Sequence, residues 1–509
     1  LPARPEAHKR QEADIATIRL EYKSGIQSIG TETAGRGEWN FSNNIRWRGG
    51  FPEKHRGWQR FSPGPLHGIC RALHYWYDLS TLPYLAAGTH STLEIMSGSP
   101  GNILHDITPA GLIPGEISSG PKPYSLRIWS LDNFGQDLLA CPSGGALYRW
   151  QPPNMGTPAT AVLTAPPHSQ GGFMTMPQRI MMMFGSSPDL GLTTDPMLIR
   201  WSDQDDYTVW TPTTTNFAGS FRLSRGSRIV GGLQCPLGIF LWTDLDVWNA
   251  QYEGFPLVYG FFQTESNCGL IGQEAVCVVG TAPYWLSDHG PFRMSGRGVE
   301  QIPCSVWDDI FLDLDMANAD KCVAAADYLY STVAFFYPSK SGGTGELDKF
   351  IELNIQENLW SFGRAQVVRT AWTDQNRPGE PLGVDLRSLI QQEGVGLDAD
   401  GQVLTSSIRT GFNDLSDGKD MVFVDRYLPD FQWEGANPSL QLTMFFRSYP
   451  GDPVDTYMRR GPFTVTPRTK FIKIDGRGRE WSEQIEVTDP DTWYRRGVPR
   501  IVMQKDGAL

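Results

Sequence analysis

The groups able to do chemistry in this chain are few and scattered. Eight histidines run from His8 to His289, and no two stand at metal-ligand spacing. There is no HExxH, no Walker A and no dinucleotide fingerprint. The nearest approach to a nucleophile elbow is Ser97-Gly98-Ser99-Pro100-Gly101, which carries Ser where the first Gly must stand and reads as a loop. Cys268 precedes Gly269 with no histidine nearby in sequence, and reads as a buried thiol. Carboxylates pair up at Asp205/Asp206 and Asp308/Asp309. Adjacent residues do not set two carboxyls across a sugar ring at the ~5–9 Å that glycoside hydrolysis uses. The most tempting cluster is Asp203, Asp205 and Asp206 in IRWSDQDDYTVWTP, Ile199–Pro212. It sits between a strand ending at Trp201 and a Trp210-Thr211-Pro212 close, so it reads as an Asx-turned corner of a sheet. No catalytic, cofactor-binding or metal-ligating residue is assigned, and no cofactor is expected.

The elements that would position these groups are short strands. With 54 Gly, 37 Pro and 17 Trp, the chain is rich in turns and aromatics. A unit recurs from about residue 66: an apolar strand, a tight Gly/Asp/Ser turn, and a second strand ending near an aromatic. It appears at Pro83–Met96, Asp137–Trp150, Arg179 with Met197, Gly238–Tyr252, Pro283–Met294 and Ser331 with Asp348. The spacing of about 40–60 residues approaches the period of β-propeller blades. The expected fold is mainly β: a β-propeller over 66–372 and a second, β-sandwich-like platform domain over 373–509. Residues 1–14 read as a flexible arm, and 1–65 as strands packing with the C-terminal domain. In that last domain, Leu440, Leu442, Met444 and Phe446 alternate onto one face, and so do Phe463 and Val465. Hairpin turns are expected at 398–401 and at Ser416-Asp417-Gly418.

Charge divides the same way. Residues 1–65 hold 11 Lys+Arg against 7 Asp+Glu, and residues 451–509 hold 11 against 9. The middle, 66–450, holds 22 against 40, within a total of −12. An acidic body lacks the phosphate-neutralising charge that grips nucleic acid. Gly35–Trp58 interleaves Trp39, Phe41, Trp47, Phe51 and Trp58 with Arg46, Arg48, Lys54 and Arg56. It reads either as an aromatic-and-basic nucleic-acid surface or as half-buried strands with basic stems lying over the rings. The seven cysteines form no CxxC pair and read as free thiols of a reducing cytoplasm. No apolar run is long enough to span a membrane, and the start lacks the apolar core of a secretory signal. One helix is expected in Cys304–Cys322, with Trp307, Ile310, Phe311 and Leu314 on one apolar face and Asp308, Asp309, Asp313 and Asp315 largely opposite. A calcium loop there would lack its third acidic ligand and its Gly.

Two family resemblances attach to these residues. Asp205 and Trp210 match two of the four positions of the sialidase-type Asp box (S-x-D-x-G-x-x-W), with Asp203 at the Ser position and Tyr207 at the Gly. The stronger one begins at RWSDQDDYTVWTPTTTNFAGSFRL and continues in order. It takes in the Trp242-Thr243-Asp244 corner, TESNCGLIG, APYWLSDHGPFRMSGRGVEQIPCSVWDDIF and NIQENLWSFGRAQVVRTAW. WNFSNNIRWRGGFPEKHRGW opens the series and RGREWSEQIEVTDPDTWYRRGVPRIVMQKDG closes it. In these stretches the chain resembles the tail nozzle proteins of short-tailed bacteriophages, also called tail tubular protein B or packaged-DNA stabilisation protein. The resemblance implies a virion structural protein, not an enzyme. It would form a homo-hexameric ring beneath a tail adaptor protein, with tail fibres or tailspikes as further partners. Genomic DNA would pass through its lumen without sequence-specific binding. Two other functions stay open on the residues alone: a propeller that depolymerises glycans, and a non-enzymatic glycan- or protein-binding propeller.

Overall fold

The computed structural model describes residues 15–31, 35–115, 126–188, 191, 193–374, 377–414 and 419–508. The expected arm over 1–14 and the turn at 416–418 lie outside them. Contacts divide the chain into two units: Arg56–Asp400, and the segments up to His55 and from Gly401 onward.

Arg56–Asp400 is a β-propeller. Seven four-stranded antiparallel sheets follow one another, and in the first six the strand order is the chain order. Blades one to six start at Cys70–Tyr77, Trp129–Phe134, Gly171–Thr175, Ile229–Cys235, Val276–Val279 and Val323–Asp327. The seventh is built from Ala371–Thr373, Leu382–Val384 and Ile390–Glu393, and its fourth strand is Trp58–Arg60 from the other end of the unit. That strand closes the ring. Phe61, Leu66, Cys70, Tyr75, Leu382, Val384 and Ile390 share one apolar cluster spanning blades seven and one. Arg369 lies 4.2 Å over the Trp58 ring and is paired with buried Glu393. The limits expected at 66 and 372 therefore fall inside the propeller. The strands that extend it are only three or four residues long, too short to show a period of their own.

The middle strands are covered on both faces, which explains their unbroken apolar character. Asp137–Pro142, Ile180–Phe184 and Leu198–Trp201 are buried at every position. The outermost strands are largely exposed, as at Thr160–Ala161 and Gly219–Arg222. Each of the six sequence units named above is the middle hairpin of a blade.

The helix departs from expectation. It spans Trp307–Asp313 and turns extended at Leu314. With barely two turns it buries only the narrow stripe Val306, Ile310 and Leu314. Phe311, expected on the packed face, is 63% exposed, and Leu312 is exposed beside it. Asp313 accepts from Ser341 and pairs with Lys349, while Asp315 caps the following turn through Ala317 N–H. No group of three or more His, Cys, Asp or Glu among the described residues could hold a metal ion.

The second unit contains three sheets, one of seven strands and two of four. Leu440, Leu442, Met444 and Phe446 face its core together and are buried. The sheets meet through charged groups as well as apolar ones. Glu483, on Glu480–Val487, accepts from Tyr427 Oη at 2.6 Å and pairs with Arg496 at 2.8 Å, all three buried. In the Gly35–Trp58 stretch, the expected strand pair around Gly49-Gly50 is present as Ile45–Arg48 with Phe51–Lys54, but two of its basic residues go inward. Trp39 and Trp47 are buried, Arg46 is buried on Glu53 at 2.9 Å, and Lys54 is buried with its ammonium on Thr492 O at 2.6 Å. Rings inside a core cannot stack on bases, and Arg46 and Lys54 spend their charges internally.

Candidate functional site

The Asp203–Trp210 corner is a built turn. Asp203 Oδ1 accepts the N–H groups of Gln204 (2.9 Å) and Phe217 (2.8 Å). Asp206 Oδ1 accepts Thr208 N–H at 2.8 Å. Asp205 points outward, 3.2 Å from the exposed Arg179. Trp210 is buried in the cluster joining blades two and three and donates its indole N–H to Tyr207 O at 2.7 Å. Trp201 is buried in the cluster joining blades three and four. Asp203 and Asp206 hold backbone, and Asp205 meets only the exposed Arg179.

The other singled-out residues are structural too. Thr243 Oγ1 accepts Asp246 N–H (2.8 Å), and Asp244 Oδ1 accepts Ser227 N–H (2.8 Å), so Thr243 and Asp244 hold the corner's backbone, while the indole Nε1 of Trp242 is buried without a hydrogen-bond partner. A Cβ on Gly269 would lie 2.4 Å from the Asp244 backbone, which requires glycine there. Cys268 is buried, its carbonyl accepts Trp285 Nε1 at 2.9 Å, and burial pushes its thiol up to about 12. All seven cysteines are free. Ser97-Gly98-Ser99-Pro100-Gly101 is the loop leaving the third strand of blade one.

The place where polar groups do converge is the propeller axis. A cavity of about 260 Å³ is lined by the first strands of all seven blades and their flanking residues. Some of its polar wall is internally satisfied. Asp132 Oδ2 accepts Met174 N–H at 2.8 Å. Gln234 bonds the N–H and C=O of Met176 at 2.5 and 2.7 Å. His74 Nε2 lies 3.0 Å from Asn133 Oδ1, and burial lowers its pKa. The rest is not. Burial alone pushes the Glu274 carboxyl up to about 8. Asp374 is pushed up to about 7, first by burial, and its Oδ2 is buried without a hydrogen-bond partner. Gln273 donates to Ser130 Oγ at 2.8 Å, but its Oε1 is likewise buried and unpartnered. Burial also holds the Cys277 thiol well above its ordinary range. Among the described residues, no Lys or Arg lines the cavity.

Sequence reasoning missed Glu274 and Asp374, which lie a hundred residues apart on blades five and seven. The available signal was an acidic residue beside the first, otherwise apolar, strand of a blade, where side chains meet the axis.

A second feature is apolar and outward. The outer hairpin of blade four, Asp246–Gly254 with Val258–Ser266, has nine-residue strands and a tip at 255–257. Phe255 is 53% exposed, Leu257 68% and Phe262 52%. Phe221 of blade three stacks on Phe261 at 4.6 Å, and Phe217 meets Phe255 at 6.1 Å, so the surface is continuous.

No protein-family profile matches the chain, and no curated protein matches it. Among solved structures it is similar to BBS1N in complex with ARL6DN, at 11% identity and a TM-score of 0.37, over 67% of this chain and 97% of that one. It is similar to a catalytically inactive virginiamycin B lyase from Staphylococcus aureus with quinupristin, at 10% identity and a TM-score of 0.33, over 67% and 97%. It is also similar to YCF48 bound to D1 peptide, at 9% identity and a TM-score of 0.38, over 68% and 97%. Likeness at this level says nothing about what this chain binds.

Proposed function

We propose that this β-propeller protein works by binding and assembly rather than by turnover. The observation that carries the reading is the blade-four hairpin, a projecting apolar surface of the kind that marks protein contacts. The helix between blades five and six adds a second, different one at Phe311, Leu312 and Met316. Two unlike patches on one unit are what a head-to-tail ring needs, because each contact joins two different faces. Within this reading the finer assignment is the nozzle of a short phage tail. The chain would be a homo-hexameric ring below a tail adaptor, carrying fibres or tailspikes, retaining packaged DNA and conducting it at ejection. The ordered motifs support it, and so does an acidic body that would repel DNA from a channel wall. Light scattering and imaging of the purified chain test it. Closed rings that dissociate on Phe255→Asp with Leu257→Asp are expected, and a monomer at every concentration overturns it.

A glycan-acting propeller is the second reading, favoured by one observation. A carboxyl still protonated near neutral pH, as at Glu274, is what a general acid requires. Polysaccharide turnover by the purified chain, lost in Glu274→Gln, would establish it in place of the first.

A further inference from the structure

The longest open edge of the propeller belongs to blade four. Its fourth strand, Val258–Ser266, has nine residues, whereas the outermost strands of the other blades have two to six. Asp246–Gly254 pairs one side of it, and among the described residues no strand pairs the other. Such an edge is a row of backbone donors and acceptors to which another strand can add, and proteins commonly blunt it with Lys or Pro. Val258–Ser266 contains neither. Phe262, Gln263, Thr264 and Glu265 are exposed along it. The hairpin is also acidic. Glu253 and Glu265 are exposed, and 246–266 holds no Lys, Arg or His.

The second unit carries an edge of the opposite sign. Met458–Val465 ends the seven-stranded sheet and pairs only with Leu440–Arg447. With eight residues, most of them exposed, it is longer than any other terminal strand of that unit. Arg459 and Arg460 open it, and no carboxylate pairs with either among the described residues: Arg459 lies over the Phe445 ring and Arg460 donates to Asp475 O at 2.8 Å. Pro462 stands with Gly461 in a bulge opposite Thr443, so the stretches on either side keep their outward backbone groups. The units differ in the same sense. Residues 56–400 hold 20 Lys+Arg against 34 Asp+Glu, and the rest of the chain holds 24 against 22.

We propose that Val258–Ser266 of one copy pairs edge to edge with Met458–Val465 of a second copy, antiparallel, with Glu265 at the Arg459–Arg460 end. The charges set the direction. Glu265 lies near the end of one strand and the arginines near the start of the other. Opposite charges facing each other across two strands favour that order over its reverse. One copy offers an acidic edge and the next a basic one, so the contact is heterologous and joins copies head to tail. This inference rests on the assembly reading above and names the backbone contact through which copies join.

Cross-linking of the full chain tests it. Thr264→Cys and Met458→Cys variants are prepared separately, mixed and treated with a short bismaleimide. A covalent dimer joining position 264 of one variant to position 458 of the other, identified by peptide mass, is expected in the mixture alone. Light scattering supplies a second readout. Glu265→Arg and Arg459→Glu should each weaken association about fivefold or more, and the two changes in one chain should recover most of it. Assembled particles with no link between 264 and 458 and no recovery in the double variant overturn the proposal and leave the assembly reading standing. A link from 264 to 264 without one to 458 overturns it in favour of two blade-four edges meeting. A monomer at every concentration overturns both. If a charge variant fails to fold, the cross-linking result decides alone.

Discussion

Two glutamates, one buried and one half-buried, stand in opposite surroundings. Glu483, in the second unit, is surrounded: Arg496 grips both its oxygens and Tyr427 donates to one. Glu274, on the propeller axis, has no such partner and holds its proton up to about 8. The first arrangement is complete and can only be damaged. The second has neither a cation nor a donor acting on it among the described residues.

The comparison breaks first at Glu483. Glu483→Ala leaves Arg496 charged, buried and unpaired, and should cost about 3–5 kcal/mol. Denaturant unfolding of the full chain should show an early transition of the second unit, and an unshifted curve would mean that water already shares this pair. Trp210→Ala gives the scale for plain packing. It empties a site between blades two and three and should cost about 3–5 kcal/mol, read as a lower unfolding midpoint and a loss of soluble yield.

Glu274 should sharpen the contrast through pH. The unfolded chain releases this proton near 4.5 and the folded chain near 8, so between those values the folded state binds the extra proton. Its contribution to stability is full below 4.5 and lost as pH rises through 8. Asp374, with release near 7, adds to the same trend. Glu274→Gln should flatten the decline between pH 5 and 8, seen as a higher melting temperature than the parent at pH 8.5. A steeper decline in the variant would contradict the assignment. The smallest effect belongs to Asp205. It is paired yet exposed, with a left-handed backbone that Asn also tolerates, so Asp205→Asn should change stability by less than about 0.5 kcal/mol. A larger loss would show that the corner depends on its outer ion pair.

What was legible in the sequence follows burial. Blades one to six announced themselves through their middle hairpins, because a strand covered on both faces is a continuous apolar run. Ile180-Met181-Met182-Met183-Phe184 is the plainest case. The outer strands carry no such pattern, and blade seven is too short-stranded to show one, so the boundary at 66 missed Trp58–Arg60. The helix was visible but its packed face was not. Apolar spacing over Trp307–Leu314 says which residues align, and two turns leave room to bury only one row of them. The axial carboxyls were invisible for a different reason. A local stretch shows only an acidic residue beside an apolar first strand; its meaning depends on seven strands converging.

The closing strand has a consequence for synthesis. Ser62 Oγ receives its hydrogen bond from Ile390, 328 positions later. At ~5–20 residues per second a ribosome needs on the order of tens of seconds to deliver that partner. Through that interval six blades can form while Trp58 and its neighbours wait with an unpaired edge. Closure of the propeller is then a late latch, and any factor that protects the nascent chain would be needed at Trp58–Arg60 through that interval.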